Sequence, residues 1–188
     1  MQRFFDIFFS LLAIVGLSPI FLVIVLLLRI TGEGEVFYKQ KRIGRQGKDF
    51  YIYKFATMLK NSELLGGTIT LKNDPRVLPI GGMLRKSKLN ELPQLINILI
   101  GDMSIVGPRP CLEKTIDEMP EWARQRFKVR PGLSGLAQTS GNVSATWTKR
   151  WEYDIRYIES QSLIFDLWLI IKTFFLIIVD ENKFGKSV

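Results

Sequence analysis

Phe4 to Leu28 reads FFDIFFSLLAIVGLSPIFLVIVLLL. At about 1.5 Å per helical residue this run is long enough to cross a hydrocarbon layer of roughly 30 Å, so it commits the chain to a membrane. Ser18-Pro19 interrupts it near the middle, where proline removes a backbone donor and clashes with the preceding turn. Asp6 is awkward for a full span. No convincing small-residue cleavage site follows Leu28, so the segment is expected to be retained. Arg3 precedes it, and Arg29, Lys39, Lys41, Arg42, Arg45 and Lys48 follow, which places everything after Leu28 in the cytoplasm. Two readings stay open: a kinked single span, or a helix that turns back at Ser18-Pro19 and leaves Arg3 on the cytoplasmic side.

The remaining chemistry is bounded by what is missing. Among 188 residues there is no histidine, which removes Ser-His-Asp and Cys-His nucleophiles, histidine-bound zinc and any imidazole base. Catalysis would rest on carboxylates, lysines, arginines or a bound cation. With 47% hydrophobic residues the chain is not disordered, and a formal net charge of +8 invites phosphorylated ligands, nucleic acid or an anionic membrane. Cys111, the one cysteine, can form neither an intrachain disulfide nor a four-cysteine site and reads as apolar filler in a cytoplasmic domain.

The pattern after the membrane segment predicts mainly helix with a small β element. Residues 36–58 alternate apolar and polar types around IGRQGKD, a strand pair with Gly44 and Gly47 in the turn. The stretch from Asn61 to Pro79 is loop-rich. LPQLINILI (92–100) is apolar at helical spacing, with Asn90 as N-cap, Pro93 in the first turn and Gly101 at the end. Glu113 to Lys128 predicts a charged helix, and Trp147 to Ser160 another. Leu163 to Val179 predicts an apolar helix lying in the interface, with Lys172 reaching back to water. The expected domains are a membrane-embedded 1–30, a compact cytoplasmic catalytic domain 31–160, and an interfacial amphipathic tail 161–188.

Anion binding is the first chemistry on offer. Lys54, Arg76, Arg85, Arg109 and Arg130 lie beside prolines or in short apolar contexts that hold a side chain in place, as bidentate phosphate contacts require. A solvated basic face, or a patch against an anionic leaflet, accounts for any single one of them equally well. Asn90-Glu91 opens a helix whose N-terminus favours anions, although a cap and a dipole partner would look the same. Val106 to Pro110 (VGPRP) is a stiff turn presenting one guanidinium. The basic residues are not interleaved with aromatics as a nucleic-acid stacking platform would be, and no nucleic-acid partner is expected.

YKFATM (53–58), NDPRVLPIGGMLRKSKLNELPQLINILIGDMSIVGPRP (73–110), VRPGLSGLAQTSG (129–141) and WEYDIRYIESQSLIFDLWLIIKT (151–173) together resemble the bacterial sugar transferase family, the small monotopic phosphoglycosyl transferases. The resemblance implies transfer of a sugar 1-phosphate from a UDP-sugar to undecaprenyl phosphate, with Mg2+, as the first membrane step of bacterial glycan assembly. It implies a location on the cytoplasmic face of the inner membrane and downstream glycosyltransferases as possible partners. It implies a re-entrant N-terminal helix broken at Ser18-Pro19, phosphate or substrate contacts from Lys54, Arg76, Arg85, Arg109, Arg130 and Gln138, and a catalytic, metal-ligating pair at Asn90 and Glu91. Larger relatives add spanning helices and a further domain before this core; the chain resembles the minimal form.

Two positions depart from the family pattern. Ala56 stands where KFRTM is usual, and Asn90 stands where the family pair reads Asp-Glu. The resemblance gives that aspartate the role of nucleophile toward phosphorus, and an amide is a poor nucleophile and a weak metal ligand. Either Glu91 takes over the chemistry, or the chain binds donor or lipid without turnover, as an impaired or engineered variant would.

Overall fold

The computed structural model describes residues 2–66, 74–141 and 145–179. It is mainly helical, with two two-stranded sheets.

The apolar run forms two helices, α1 (Gln2–Gly16) and α2 (Ser18–Thr31), bent by 61° at Leu17. Pro19 cannot donate to the carbonyl one turn back, at Val15; the Ser18 hydroxyl donates to it instead, at 2.7 Å. The Ser-Pro pair therefore bends the helix without abandoning that polar group in an apolar setting. No single helix among the described residues is long and apolar enough to cross a membrane, whereas the bent pair is when taken together.

Both arms pack on the same folded unit. Asp6, which the sequence made awkward, is buried and accepts hydrogen bonds from Ser104 Oγ at 2.9 and 3.0 Å and from Ile105 N at 3.0 Å. Gln2 Nε2 donates to Asp166, which also accepts from Tyr157. At the other arm, Ile24 and Leu28 join Val36, Phe55 and Leu84 in a dry cluster. The outward faces stay apolar and exposed, from Phe4, Phe8 and Leu12 on α1 to Leu22 and Leu26 on α2.

β1 (Phe37–Ile43) and β2 (Asp49–Phe55) form the expected antiparallel pair, with Phe37 opposite Phe55 and Tyr38 opposite Lys54. Its turn places Gly47 at φ +71°. Opposite residues share a face, so Tyr38, Gln40 and Arg42 lie on the side of Lys54, Ile52 and Phe50. α3 (Ser62–Gly66) follows, then α4 (Pro79–Lys86), a helix that the loop-rich stretch did not announce. Gly81 lets α4 press on β2's exit: a Cβ there would lie 2.2 Å from the Thr57 carbonyl oxygen.

The LPQLINILI segment is helical, but later than expected. α5 spans Gln94–Ile100, and Leu89–Glu91 form a separate 3-10 turn. Asn90 therefore does not cap the helix: Lys88 at φ 61° tightens the chain before it, and Pro93 occupies the cap position. Gly101 ends α5 at φ +101°, as anticipated. α5 is keyed to β2 by Asn97, which is fully buried, donates from Nδ2 to the Tyr51 carbonyl at 2.7 Å and accepts from Tyr53 N at 2.9 Å.

β3 (Ser104–Val106) pairs in parallel with β4 (Gly132–Ser134), an element absent from the sequence reading. The expected helix over 113–128 is corrected to α6 (Lys114–Asp117) and a 3-10 stretch Glu121–Lys128, because Pro120 breaks it. α7 (Leu136–Thr139) and α8 (Trp147–Glu159) complete the unit, and α9 (Leu163–Val179) is a helix over the expected range, with Lys172 4.8 Å above the Trp168 ring.

Asn97 joins helix to strand without any apolar alternative for the two strand groups it satisfies. Asn97→Ala should cost about 2–3 kcal/mol and lower the thermal midpoint in detergent by roughly 5–10 °C, read by circular dichroism.

Candidate active site

The site begins with Glu91, whose position depends on the 3-10 turn just before α5. Its side chain is 14% exposed and accepts from Arg109 Nη2 at 2.8 Å; the Arg109 side chain is 49% exposed. Burial alone would raise the Glu91 carboxyl, but Arg109 and Lys54 outweigh it, and with Lys88 they hold it well below the usual carboxylate range. Lys54, on β2, is pushed down to about 8 by burial and by the crowding of Arg109, Arg42 and Arg85, against the pull of Glu91. Burial also lowers Lys88 and Arg85, and lowers Arg42 to about 10. One carboxylate thus sits among five cationic side chains. A cluster of this sign, partly open at Arg109, has the charge an anion would require and carries its own counter-charge.

Arg109 is aimed by its backbone. The carbonyls around it are held by four elements: Val106 by the Tyr157 hydroxyl at 3.2 Å, Pro108 by Gly132 N at 2.9 Å, Arg109 by Arg126 Nη2 at 2.6 Å, and, both from β1, Pro110 by Arg42 Nη1 at 3.4 Å and Cys111 by Ile43 N at 3.0 Å. Arg126 is itself fixed by a buried pair with Asp154, 3.0 Å away, and burial pushes the Asp154 carboxyl up to about 6 against the pull of Arg126 and Arg150. Gly132 permits the close pass of β3 and β4: a Cβ there would lie 2.0 Å from Gly107 N.

The structure brings together Glu91, Lys54, Arg85 and Arg109 as the sequence anticipated. Asn90 is beside them in the chain, 8% exposed, with a buried Oδ1 that has no hydrogen-bond partner. Arg76 is buried, forms an ion pair with Asp74 at 2.6 Å and donates to the Ser62 carbonyl, and it is a charged neighbour of Arg85. Gln138 is buried on α7 with its Oε1 beside Gly135; neither of its amide atoms has a partner. Arg130 lies apart, donating to the Gly101 carbonyl at 2.9 Å with Arg3, Arg45 and Asp6 as its charged neighbours.

Sequence reasoning missed Arg42, Lys88 and the Arg126–Asp154 pair. Arg42 was legible in principle, since strand alternation puts it on the face of Lys54. Lys88 and Arg126 depend on a left-handed turn and a tertiary contact that no local pattern encodes.

A divalent cation finds limited support from the protein. Among the described residues no three acidic or cysteine side chains converge as a cage. Glu91 and Asn90, whose Oδ1 is unpartnered, are nonetheless neighbours in the chain that carry oxygen donors, the type that suits Mg2+, an ion that keeps several waters and takes one or two protein ligands together with substrate phosphates.

The family profile described as "Bacterial sugar transferase" matches residues 1–180. The chain is 38% identical over 187 residues to the exopolysaccharide production protein ExoY of Sinorhizobium fredii, covering 92% of this chain and 83% of that protein. It is 35% identical over 182 residues to the uncharacterized sugar transferase EpsL of Bacillus subtilis, covering 97% and 89%. It is also 37% identical over 185 residues to the UDP-glucose:undecaprenyl-phosphate glucose-1-phosphate transferase of Escherichia coli, covering 93% of this chain and 39% of that protein. With a cationic phosphate-type site on a unit carrying a broken apolar helix, and matches of this extent, the chain belongs to the bacterial sugar transferase family.

Proposed function

We propose that this chain transfers a sugar 1-phosphate from a UDP-sugar to undecaprenyl phosphate at the cytoplasmic face of a bacterial inner membrane. The observation that carries the reading is the convergence of Lys54, Arg85, Lys88 and Arg109 on Glu91, on a unit whose α1 and α2 present an exposed apolar surface. Relatives named for this reaction include the Escherichia coli glucose-1-phosphate transferase and the Salmonella typhimurium undecaprenyl-phosphate galactose phosphotransferase.

The cationic groups would bind the donor's diphosphate and spread its charge, which is most of what phosphoryl transfer asks of a protein. Overall, an oxygen of the polyprenyl phosphate becomes bonded to the β-phosphorus, and that phosphorus loses its bond to the bridging oxygen, which leaves with UMP. Arg109, with its carbonyl and its neighbours' carbonyls fixed, meets the phosphate with little entropy left to lose. Release of Glu91 from Arg109 by an arriving phosphate would free the carboxylate. Mg2+, when bound, would neutralise phosphate charge, and Glu91 and Asn90 Oδ1 are the residues that would hold it.

The same reading seats α1 and α2 in the membrane as a re-entrant element and α9 along the interface, with the catalytic domain between them; residues 180–188 of the expected tail lie outside the described residues. Contacts at both ends of the helix pair support re-entry. A spanning helix would carry Gln2 and Asp6 across the bilayer from Asp166 and Ser104, with which they are hydrogen-bonded.

UMP release from a panel of UDP-sugars with undecaprenyl phosphate and Mg2+ tests the assignment. With Glu91 as the reacting carboxylate, the chain turns over, Glu91→Gln lowers the rate about 100-fold or more, and Asn90→Asp changes it little. No turnover by the chain together with strong turnover by Asn90→Asp would establish the binding-only reading instead.

Lys54 supplies a pH dependence. Its folded value lies below the ordinary lysine value, so it is charged below about pH 8 and loses its proton above it. The affinity for UDP, measured by calorimetry, should fall by up to about 10-fold between pH 7 and 9, and Lys54→Arg should flatten that fall.

Topology is open to labelling. In a Cys111→Ser background, a cysteine in place of Gln2 should resist an impermeant thiol reagent in intact cells and react after lysis; reaction from outside would mean a span.

A further inference from the structure

Arg130 was singled out by the sequence, yet the Glu91 site does not use it. It stands in a second cationic cluster. Arg3, at the start of α1, donates to the Ile98 and Leu99 carbonyls, the latter at 2.7 Å, and Arg130 donates to the Gly101 carbonyl at 2.9 Å, so two guanidinium groups close the end of α5. Arg45, exposed in the β1–β2 turn, donates from Nε to the Lys128 carbonyl at 3.3 Å, and the exposed Lys128 amine meets only the neutral Gln125 amide oxygen, at 3.1 Å.

Capping the end of α5 accounts for Arg3 and Arg130, not for Arg45 and Lys128. Among the described residues none of Arg3, Arg45, Lys128 and Arg130 forms an ion pair. The acid nearest in effect to Arg130, Asp6, is already taken by Ser104 and Ile105. Burial, with Arg3 and Arg45 close by, disfavours the charged form of Arg130 against the pull of Asp6. Its apolar neighbours are Phe4, 70% exposed and next to Arg3, and Ile100, 60% exposed and next to Gly101. With α1 in lipid from Phe4 onward, Arg3 stands at the point of entry; Arg130 shares the end of α5 with it, Arg45 is a charged neighbour of Arg130, and Arg45 is bonded to the Lys128 carbonyl.

We propose that Arg3, Arg45, Lys128 and Arg130, with Phe4 and Ile100 beside them, form a docking rim for anionic phospholipid headgroups, separate from the substrate site. The proposal rests on the membrane-seated reading of α1 given above. The occupant is a bilayer phospholipid because the rim is continuous with the exposed apolar face of α1, and because Arg130 is not among the charges gathered about Glu91. Each basic group held at such a surface contributes additively, and the attraction fades with salt.

The test uses the full chain reconstituted in vesicles of phosphatidylcholine alone or mixed with phosphatidylglycerol, then released and weighed by native mass spectrometry with its retained lipid. Stable flotation with neutral vesicles checks the membrane reading by itself; failure to float would remove that reading and this one together. Given flotation, the retained lipid should be enriched several-fold in phosphatidylglycerol over the bulk, and raised salt should reduce the enrichment. Arg45→Glu with Lys128→Glu, both at exposed positions, should abolish it, with circular dichroism and UDP affinity unchanged. No enrichment in the unsubstituted chain, or equal enrichment in the double variant, overturns the rim while leaving the transferase assignment in place.

Discussion

A carboxylate in an apolar helix is tolerable only where its hydrogen bonds are supplied, and Asp6 has its supply from Ser104 and Ile105 N. That contact fixes α1 against β3, and β3 runs directly into the turn that carries Arg109. Helix, strand and the Arg109 turn are thus positioned by one buried polar node. Replacing Asp6 by an apolar residue would make α1 a better membrane helix and a worse partner for the domain. The same logic recurs where Gln2, Tyr157 and Asp166 tie the first turn of α1 to the first turn of α9.

Rigidity in the Arg109 turn and looseness at its guanidinium serve different ends. Prolines limit the backbone on either side of Arg109, and donors from β1, β4, α8 and the 3-10 stretch hold the carbonyls from Val106 to Cys111, Gly107 excepted. The guanidinium remains half-exposed on Glu91. An arriving phosphate can compete for it without moving the backbone, and the cations that remain are those whose charged forms burial disfavours, Lys54 above all. Such groups gain most from an anion, because its charge repays the cost of their desolvation.

The two basic clusters divide the net charge of +8 into separate tasks. One surrounds a carboxylate and suits a ligand bearing several phosphate oxygens. The other lies at the end of α5 among exposed apolar side chains, with Asp6 as the acid nearest in effect to Arg130 and no ion pair among the described residues. Composition alone cannot distinguish them, since a lysine or arginine beside a proline looks the same in either place.

The apolar run, the Ser-Pro break, the β1–β2 hairpin, α8, α9 and the family motifs were legible in the sequence because each rests on local periodicity or on a fixed order of residues. Lys54, Arg85, Glu91 and Arg109 were legible for the second reason. What local pattern could not settle was whatever depends on contacts between distant segments: the split of 113–128 at Pro120, the parallel pairing of β3 with β4, and the start of α5 after Asn90. Asn90 has the composition of a helix cap, but the turn set by Lys88 and the docking of Asn97 on β2 start the helix later and leave its Oδ1 without a partner. The sequence by itself thus determined which residue types the chemistry has to draw on. Tertiary structure alone decided that Arg42 and Lys88 join Arg109 and Lys54 around Glu91 while Arg130 goes to the end of α5, because charge placement depends on the docking of whole elements, which no residue's neighbours in the chain encode.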